Sequence, residues 1–411
     1  FRPAGQPALE ALRAIAQDCR IDLPDGLPAA LSCLVGYFGY ETIGLVEDIP
    51  RPAPNPIDIP DMLFVRPTVV LVFDRLADRL FVAAPVWPDA GNPEHKVRDA
   101  ADRIAGIAAR LTRPLPERAR AVAGLPLQQV SPVLAAGRYG EMVNRAKDYI
   151  AAGDIFQVVL AQRFTLPFPL PAFDLYRALR RINPSPFLYH LDFPGFALTG
   201  SSPEILVRVR HGEVTIRPIA GTRPRGSTAL EDAENRDSLL ADPKERAEHL
   251  MLLDLGRNDV GRVAAAGTVT VTDSYSVEFY SHVMHIVSNV VGRLSPDKDA
   301  LDALFAGFPA GTVSGAPKVR ACEIIAELEP ETRGAYAGGV GYFSPDGDLD
   351  SCIVLRTAIV KDGVMHVQAG AGIVADSDPA YEQRECEAKA GALIAAAREA
   401  VRVAGEPGFG Q

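Results

Sequence analysis

Residues 308–323 read FPAGTVSGAPKVRACE, a glycine-rich stretch followed by an amphipathic segment. The small residues of 311–315 let the backbone approach a ligand closely. Pro317 stands where a helix could begin, and the free N–H groups of a helix start favour an anion, as do Lys318 and Arg320. The Walker spacing is absent because Ala-Pro precedes the lysine. An ordinary glycine turn before a helix gives the same pattern, so the stretch alone leaves both interpretations open.

The bulk composition is that of a globular enzyme or binding protein. Of the 411 residues, 47% are hydrophobic and 23% are charged, and the net charge of −10 argues against a nucleic-acid partner. No run approaches the roughly 20 apolar residues of a membrane span, and the first residues lack the apolar core of a signal peptide. Five scattered cysteines without a C-x-x-C pair indicate reduced thiols. We therefore expect a cytoplasmic protein without a membrane partner.

Turn residues and apolar patterns divide the chain into two parts. An Ala-, Pro- and Gln-rich segment at 114–135 predicts a boundary between an N-terminal part, 1–135, and a larger region, 136–403. The chain opens without methionine, so we expect the N-terminal part, regulatory or structural, to be truncated at its start. Beyond residue 138, many short strands joined by turns predict antiparallel pairing and an α+β fold.

Two predicted helices carry carboxylates at helical spacing. Glu245 and Glu248 lie three residues apart on the helix predicted over 243–256, and Glu382 and Glu385 repeat this spacing on the last helix. Carboxylates from two helices could hold Mg²⁺, which takes one or two carboxylates together with water and ligand oxygens. Acidic residues are also common in first helical turns, where the helix dipole favours them. Both interpretations remain open at this point.

Three further residues could take part in chemistry. His285 lies in the alternating run VMHIVSNVV, where a satisfied core histidine is the alternative. Glu204 begins a predicted strand and could be a general acid or a salt-bridge partner. Arg356 lies in the middle of an apolar strand predicted over 351–361, where an unpaired charge is costly, so it should bind a carboxylate of the protein or of a ligand. The Gly-Ala-Gly of residues 370–372 again offers bare backbone.

These residues belong to an ordered series of blocks that resembles the chorismate-utilising enzymes from about residue 138 to residue 393. The resemblance implies a large, mainly antiparallel β-sandwich with helices packed outside it, and chorismate as the substrate. The blocks are GDIFQVVLAQRF (153–164), GSSPEILVR (200–208), RPIAGTRPRG (217–226), EHLMLLDLGRNDVGRV (248–263), SVEFYSHVMHIVSNVVGRL (276–294), FPAGTVSGAPK (308–318), AYAGGVGYF (335–343), SCIVLRTAIV (351–360) and GAGIVADSDP (370–379).

Two positions distinguish the branches of this family. Isochorismate and salicylate synthases carry a lysine base where this chain has Gln157. Aminodeoxychorismate synthases carry a nucleophilic lysine in a P-I-K-G-T block, where this chain has Ala220. A methyl group cannot attack the ring, so the resemblance favours the aminating component of the anthranilate synthases, with ammonia as the nucleophile. An aminodeoxychorismate synthase without its lysine, or a non-catalytic regulator that binds chorismate or tryptophan, remains an alternative.

The resemblance also implies roles for individual residues. It makes Glu204 the acid that protonates the departing ring hydroxyl, His285 the base, and Thr312 a member of the same pocket. The metal-binding residues would be Glu248 and Glu385, ligands of Mg²⁺, with Glu245 and Glu382 as supporting carboxylates. The residues expected to bind the substrate are Gly221, Thr222, Tyr336, Arg356, Gly370, Ala371, Gly372 and Lys389.

A partner and a regulator are implied in the same way. The segment NPSPFL, 183–188, matches part of a site for the feedback inhibitor tryptophan, with Pro186, Phe187 and Leu188 as contact residues. A Leu-Leu-Glu-Ser type motif that would complete this site is not visible near the N-terminus. No cysteine lies in a G-x-C-x-G elbow, so the chain should not release ammonia from glutamine. A separate glutamine amidotransferase subunit is therefore expected.

Overall fold

The protein is described here from a computed structural model. The described residues are 5–24, 26–28, 30–51, 54–87, 91–114, 129–280 and 283–404. Within them, the helices are α1 (Ala8–Asp18), α2 (Pro93–Leu111), α3 (Arg138–Ala151), α4 (Ala172–Ile182), α5 (Ala229–Ala241), α6 (Pro243–Gly261), α7 (Ala300–Ala306), α8 (Lys318–Leu328) and α9 (Pro379–Val403). No helix of these ranges is both long and apolar enough to cross a membrane.

The strands run through the whole described chain. Those of the first half are β1 (Leu34–Phe38), β2 (Met62–Val65), β3 (Val70–Asp74), β4 (Arg79–Ala83), β5 (Ser131–Pro132), β6 (Gln157–Pro167), β7 (Phe187–Phe193), β8 (Phe196–Ser202) and β9 (Ile205–Arg210). Those of the second half are β10 (Glu213–Ile216), β11 (Ile219–Pro224), β12 (Thr270–Phe279), β13 (Val283–Arg293), β14 (Gly315–Ala316), β15 (Gly339–Phe343), β16 (Leu349–Ile353), β17 (Thr357–Lys361) and β18 (Val364–Ile373).

Two large antiparallel sheets form the body of the protein. The larger sheet has the order β11-β13-β10-β9-β16-β15-β1-β2, and β12 adds to β13. The smaller sheet has the order β14-β6-β18-β17-β8-β7, and β5 adds to β6. Strands β3 and β4 form a separate hairpin. Neighbours in sequence often pair directly, as β7 does with β8, which is why short turn-separated strands indicated antiparallel pairing.

The two sheets pack face to face, and helices cover the smaller sheet on its other side. Tyr37 and Cys352 of the larger sheet share one buried cluster with Leu198 and Ile359 of the smaller sheet. Residues of α4 and α9 bury the opposite face of β6, β17 and β18. Because each sheet is apolar on the face that meets the other, burial of this face is the main stabilising term. The predicted antiparallel sandwich with outer helices is confirmed.

Two helices that carry predicted site residues begin at aspartate N-cap residues. The Asp242 side chain accepts hydrogen bonds from the backbone N–H groups of Lys244 and Glu245, and Pro243 occupies the first helical position of α6. Asp378 caps α9 in the same way, by accepting from the Tyr381 N–H. Such caps satisfy N–H groups that the helix leaves free. They fix where each helix starts, and hence which carboxylates share a face.

The N-terminal part contributes to the main body of the fold. Strands β1 and β2 extend the larger sheet, with β1 paired to β15. Strand β2 pairs with β1, whereas β3 and β4 pair with each other. Residues 115–128, which hold most of the predicted boundary, lie outside the described residues. The division at residue 135 therefore stays a prediction.

The prediction of a single strand over 351–361 is wrong. Strand β16 belongs to the larger sheet and β17 to the smaller one, and the chain crosses between the sheets at 354–356. Arg356 lies at this crossing and has a positive φ of 47°, an uncommon conformation for a residue with a side chain. A continuous apolar run cannot reveal such a crossing, because both strands are buried and both read as apolar.

Candidate active site

A cavity of about 500 Å³ lies between the two sheets and the starts of α6 and α9. Its lining is polar at one side, where carboxylates of the two helices face basic residues of the strands and loops. Most of the residues predicted for the site line this cavity: Glu204, Gly221, Thr222, Glu245, Glu248, His285, Thr312, Tyr336, Arg356, Gly370, Gly372, Glu382, Glu385 and Lys389. Residues more than 180 positions apart in sequence thus line one cavity.

A bulge in β11 sets the protonation of His285. The register against β13 shifts between Ala220 and Thr222, and Gly221 adopts a φ of 66°. The Gly221 carbonyl then lies 2.9 Å from the His285 Nδ1, and the Thr222 Oγ1 lies at 3.1 Å. Because a carbonyl oxygen only accepts, Nδ1 carries the hydrogen, and neutral His285 keeps its lone pair on Nε2. Burial lowers the pKa of His285, which favours this neutral, basic form.

Glu204 has the properties of a general acid. It lies between β8 and β9 with only 7% of its surface exposed. Burial raises the pKa of Glu204 to about 8, although the Thr312 hydroxyl and the Arg356 charge act in the opposite direction. Thr312 Oγ1 donates to Glu204 Oε1 at 3.2 Å. The carboxyl group is therefore protonated at neutral pH, and its second oxygen can carry the proton.

Arg356 places a buried guanidinium in the wall of the cavity. Among the described residues its guanidinium has no hydrogen-bond or ion-pair partner, while its backbone carbonyl accepts from the Ser201 N–H at 3.1 Å. Burial lowers the pKa of Arg356, and the Glu204 side chain acts against this shift. A guanidinium stays charged in proteins, so a buried one without a partner is costly until an anion binds. A ligand carboxylate would supply that anion with two parallel hydrogen bonds.

The four predicted carboxylates line the cavity but differ in their partners. Glu245 accepts a hydrogen bond from Arg223 Nη1 at 2.9 Å. Glu385 lies 2.7 Å from Lys389 Nζ, which also donates to the Gly370 carbonyl at 2.9 Å.

The other two carboxylates carry less compensated charge. Burial, followed by repulsion from Glu245, raises the pKa of Glu248, and among the described residues no side chain forms a hydrogen bond or ion pair with it. Burial also raises the pKa of Glu382, and the charge of Glu385 adds to this shift. Like charges held together in a cavity favour a cation between them.

This donor set fits a magnesium ion. Carboxylate oxygens are the ligands that Mg²⁺ prefers, and the ion usually binds one or two of them with water and ligand oxygens. Across the described ranges, no group of three or more histidine, cysteine or acidic side chains is arranged to hold a metal ion. One or two of the glutamates, together with solvent and substrate oxygens, would be enough for Mg²⁺. A structural zinc site would need a closed set of protein ligands.

Strand β18 presents alternate residues to the cavity. Gly370 and Gly372 face it, and a side chain at Gly370 would meet the Tyr336 hydroxyl at 2.9 Å. Ala371 points to the other face and lies in the main hydrophobic core. The alternation of strand side chains places Gly370 and Gly372 on one face and Ala371 on the other. Ala371 can therefore contribute only backbone atoms to a ligand.

The glycine stretch at 308–318 serves packing and the site together. Gly315 lies against β6 so closely that a Cβ there would be 2.2 Å from the Gln157 carbonyl. Lys318 forms a buried ion pair with Asp259 at 2.8 Å, and Arg320 pairs with Asp154 at 2.6 Å. These two cations are thus used by the protein itself. Of the stretch, it is the turn around Thr312 that reaches the cavity.

A buried ion pair that our sequence reasoning missed holds this turn. Arg333 is 1% exposed and pairs with Glu329 at 2.6 Å. Its guanidinium also donates to the carbonyls of Val313 and Val159, both at 2.7 Å, so it ties the Thr312 turn to β6. The i, i+4 spacing of Glu329 and Arg333 was the available signal, but surface pairs share that spacing.

The segment matched to the tryptophan site lies outside the cavity. Phe187 and Leu188 are the first residues of β7, an edge strand of the smaller sheet, and Phe187 pairs with Ser202. Pro186 precedes them. Ser202 is two residues before Glu204, so β8 connects this segment to the cavity directly.

Replacing Gly221 with alanine should lower the free energy of unfolding by about 1–2 kcal/mol, because the left-handed conformation is strained for a residue with a Cβ. It should also reduce activity, since the new Cβ would lie 3.1 Å from Glu245 and displace the carbonyl that orients His285. Gly212→Ala is the matched control, with a φ of 75° and open space around its Cβ. In urea unfolding both variants should lose stability, but Gly212→Ala should retain full activity; equal activity of the two would contradict the role of the bulge.

Comparison with known proteins agrees with this geometry. The model of the chorismate binding enzyme family matches residues 5–395, and the chain belongs to this family. It is 51% identical over 411 residues to anthranilate synthase component 1 of Cereibacter sphaeroides, covering 100% of this chain and 82% of the relative. It is 49% identical over 384 residues to the same component of Thermus thermophilus, covering 91% of this chain and 79% of the relative.

Solved structures show the same fold. Anthranilate synthase component I of Streptococcus pneumoniae superposes with a TM-score of 0.86 at 38% identity, covering 96% of this chain and 86% of that one. The menaquinone-specific isochorismate synthase of Escherichia coli superposes with a TM-score of 0.74 at 24% identity, covering 95% and 83%. This second likeness concerns the fold alone.

Proposed function

We propose that the chain is the aminating component of an anthranilate synthase, a lyase that converts chorismate and ammonia to anthranilate and pyruvate. The observation that carries the proposal is that the buried carboxyl of Glu204 and the His285 imidazole, with its Nδ1 on the Gly221 carbonyl, line one cavity together with Arg356. A binding protein would need neither an acid nor a base. Two relatives and a solved structure that bear the name of this enzyme support it.

The first half of the reaction would use Glu204. Ammonia attacks C2 of chorismate, the C2–N bond forms, both ring double bonds shift by one position, and the bond between C4 and its hydroxyl oxygen breaks. Glu204 gives its proton to this hydroxyl, which leaves as water, and the new amine loses a proton to solvent. Arg356 would bind a substrate carboxylate, and its charge would also stabilise the Glu204 carboxylate formed in this step.

The second half would use His285. Its Nε2 takes the proton from C2, the electron pair of that bond forms the C2–C3 double bond, and the C3–O bond breaks, which makes the ring aromatic. The enolpyruvate that leaves takes up a proton to become pyruvate. The Gly221 carbonyl would stabilise the imidazolium by accepting from Nδ1. Ala220 lines the same wall, and its methyl group leaves room for dissolved ammonia as the nucleophile.

Glu248 and Glu385 would hold Mg²⁺, with Glu245 and Glu382 beside them. When bound, the ion would neutralise a carboxylate of the dianionic substrate, which this acidic chain would otherwise repel. Glu248 and Glu382, whose charges are the less compensated, would then face a cation.

We further propose the partners and the regulation that the resemblance implies. A glutamine amidotransferase subunit would supply ammonia in the cytoplasm, within tryptophan biosynthesis. Tryptophan would act as a feedback inhibitor at Pro186, Phe187 and Leu188. The link from Phe187 through Ser202 to Glu204 supports a route by which such binding could reach the acid.

One assay tests the reaction. The purified chain with chorismate, Mg²⁺ and ammonium at alkaline pH should form fluorescent anthranilate, and glutamine should give no product. Glutamine-driven turnover by the single chain would contradict the expected need for a partner. A product that keeps the enolpyruvyl group, identified by mass spectrometry, would instead indicate an aminodeoxychorismate synthase.

A lysine at position 220 should divert the reaction. In Ala220→Lys the amine would lie in the cavity wall, partly desolvated and near Arg356, which should lower its pKa and expose its lone pair. Its effective concentration would exceed that of dissolved ammonia. We expect anthranilate formation to fall at least about tenfold and an adduct with the ring to appear as a mass shift of the intact protein.

Ala220→Met is the matched control, because it adds similar bulk without a nucleophile. It should lose activity without any adduct, and so should show no mass shift. The native chain should also form no chorismate adduct at any ammonia concentration. An adduct on the native chain would mean that another residue is the nucleophile.

A further inference from the structure

His285 lies in a row of three residues that cross neighbouring strands. Thr222 of β11 is its cross-strand partner on one side, and Glu278 of β12 is its partner on the other. Thr222 contacts the imidazole Nδ1. Glu278 lies outside the cavity lining and has no part in the mechanism described above. Its position beside the base raises the question of what its charge does there.

Two groups fix the Glu278 carboxylate. Arg217, which follows β10, contacts Glu278 Oε1 through Nη2 at 2.5 Å. The Tyr280 hydroxyl donates to the other oxygen, Oε2, at 3.0 Å. Burial and the neighbouring Glu278 raise the pKa of Tyr280 to about 12, so the phenol remains a donor at neutral pH. With both oxygens bound, the carboxylate has one defined position.

The Tyr280 ring in turn contacts the base. Its centroid lies 5.3 Å from that of the His285 ring at an interplanar angle of 66°, an edge-to-face arrangement. His285 is thus held by the Gly221 carbonyl at Nδ1 and by an aromatic ring at its side. Glu278 accepts the hydrogen bond of the Tyr280 hydroxyl and thereby fixes the position of this ring.

We propose that Arg217, Glu278 and Tyr280 form a positioning group, the Glu278 clamp, which fixes the orientation of the His285 imidazole and sets its basicity. The inference rests on the proposed function, because it assigns the clamp to the base of that reaction. The three residues lie outside the cavity lining and act through His285.

The charges around His285 explain why such a clamp is needed. Burial of the imidazole and the cation of Arg356 lower the pKa of His285, whereas the Glu278 carboxylate raises it. Arg217 and the neutral Tyr280 face Glu278, and β11 contributes the Gly221 carbonyl. Without Glu278, the imidazole would be a weaker base beside Arg356. A weaker base removes the C2 proton more slowly.

The exposure of Glu278 and Arg217 argues against a purely structural role. The side chain of Glu278 is 38% exposed and that of Arg217 is 31% exposed. Surface ion pairs of this kind contribute about 0–1 kcal/mol to stability. Loss of the pair should therefore leave the fold intact, and its effect should appear in the titration of His285.

The test uses two variants with opposite expected effects. Glu278→Gln removes the negative charge, so the pKa of His285 should fall, the acid limb of kcat/KM should shift to lower pH, and kcat should fall roughly tenfold. Arg217→Met removes the positive charge that partly neutralises Glu278, so the pKa of His285 and the acid limb should shift upward. A structural disturbance would not shift the pKa of His285 in opposite directions in the two variants. Asp273→Asn, which removes a charge from the same strand β12, is the matched control and should shift neither quantity.

The His285 pKa is measured on the full chain by NMR of nitrogen-15 labelled histidine. The chain has seven histidines, and the signal lost in His285→Asn assigns the peak. Tyr280→Leu, which removes the ring contact, should lower kcat and leave the KM for chorismate unchanged, while Tyr280→Phe, which keeps the ring, should retain more activity.

Equal or same-direction shifts in Glu278→Gln and Arg217→Met would overturn the clamp, as would variants that titrate like Asp273→Asn. Failure of the proposed function would appear separately, as a wild-type chain that makes no anthranilate. The NMR titration needs no turnover, so it tests the electrostatic part of the clamp in either case.

Discussion

Replacing Glu204 with glutamine should lower kcat by about 10³-fold, within the range that general acid catalysis supplies. Glutamine has nearly the same shape and can still accept from Thr312, but it has no proton to give to the departing hydroxyl. The cavity should remain intact, so the KM for chorismate should change little. Measurement of kcat and KM at saturating Mg²⁺ tests this expectation.

The pH dependence of the native chain provides a second measurement. Because burial raises the pKa of Glu204 to about 8, the acid form is present below that pH and is lost above it. At a fixed concentration of free ammonia, the rate should therefore fall as pH rises through about 8. Glu213→Gln, an exposed change at the start of β10, is the control and should keep the native profile. A Glu204→Gln variant with more than a tenth of native kcat would contradict the assignment.

Stability should respond with a definite sign. The pKa of Glu204 is 4.5 in its ordinary state and about 8 in the folded protein. Between pH 4.5 and about 8 the folded state therefore binds more protons than the unfolded chain, and its stability falls as the pH rises through this range. Glu204→Gln cannot ionise, so it should not lose this stability. The variant should have a higher Tm than the native chain at pH 9 and a smaller difference at pH 5.

Loss of either proposed metal ligand should be the second large effect. Glu248→Gln and Glu385→Gln should each lower Mg²⁺-dependent turnover by at least about 10²-fold, since each removes one of the few protein ligands that Mg²⁺ uses. The fold should survive, because the proposed ligands line a cavity and repel each other. In Glu248→Gln, the Tm without metal should even rise, since burial and Glu245 make its charge unfavourable.

Binding can be measured apart from turnover. Mg²⁺ should raise the Tm of the native chain and should raise it much less in the two variants. Glu387→Gln is the matched control: it removes a charge from the same helix α9, where Glu387 is exposed and accepts from Gln383 at 2.8 Å. It should keep both the activity and the Mg²⁺-dependent rise. Near-native Mg²⁺-dependent activity in Glu248→Gln or Glu385→Gln would show that the metal assignment is wrong.

Several parts of this protein were predictable because they depend on residues close together in the chain. The Asp242-Pro243 and Asp378-Pro379 caps start α6 and α9, and such caps can be read from the sequence because a side chain needs only the residues next to it to accept their N–H groups. Helical spacing then puts Glu245 and Glu248 on one face. Short strands joined by turns indicated antiparallel pairing for the same local reason.

Other predictions failed where the answer depended on distant residues. The apolar run over 351–361 concealed a crossing between the sheets, and Arg356 owes its accessible charge to that crossing. Lys318 seemed free to bind an anion, but α6 brings Asp259 to it from 59 residues away. The side chain of Ala371 lies in the core because strand side chains alternate, and the predicted contact of its backbone with a ligand stays a prediction.

The sequence by itself thus determined the caps, the helical faces, the α+β class and the residue types available for chemistry, because these follow from local geometry. Only the tertiary structure decided which charges meet and which are desolvated. Burial between the packed sheets raises the pKa of Glu204, which favours its acid form at neutral pH. The Gly221 carbonyl at the bulge accepts a hydrogen bond from Nδ1 of His285, which leaves the Nε2 lone pair free to act as a base. A pKa depends on the surrounding dielectric and on nearby charges, and both are properties of the packed chain.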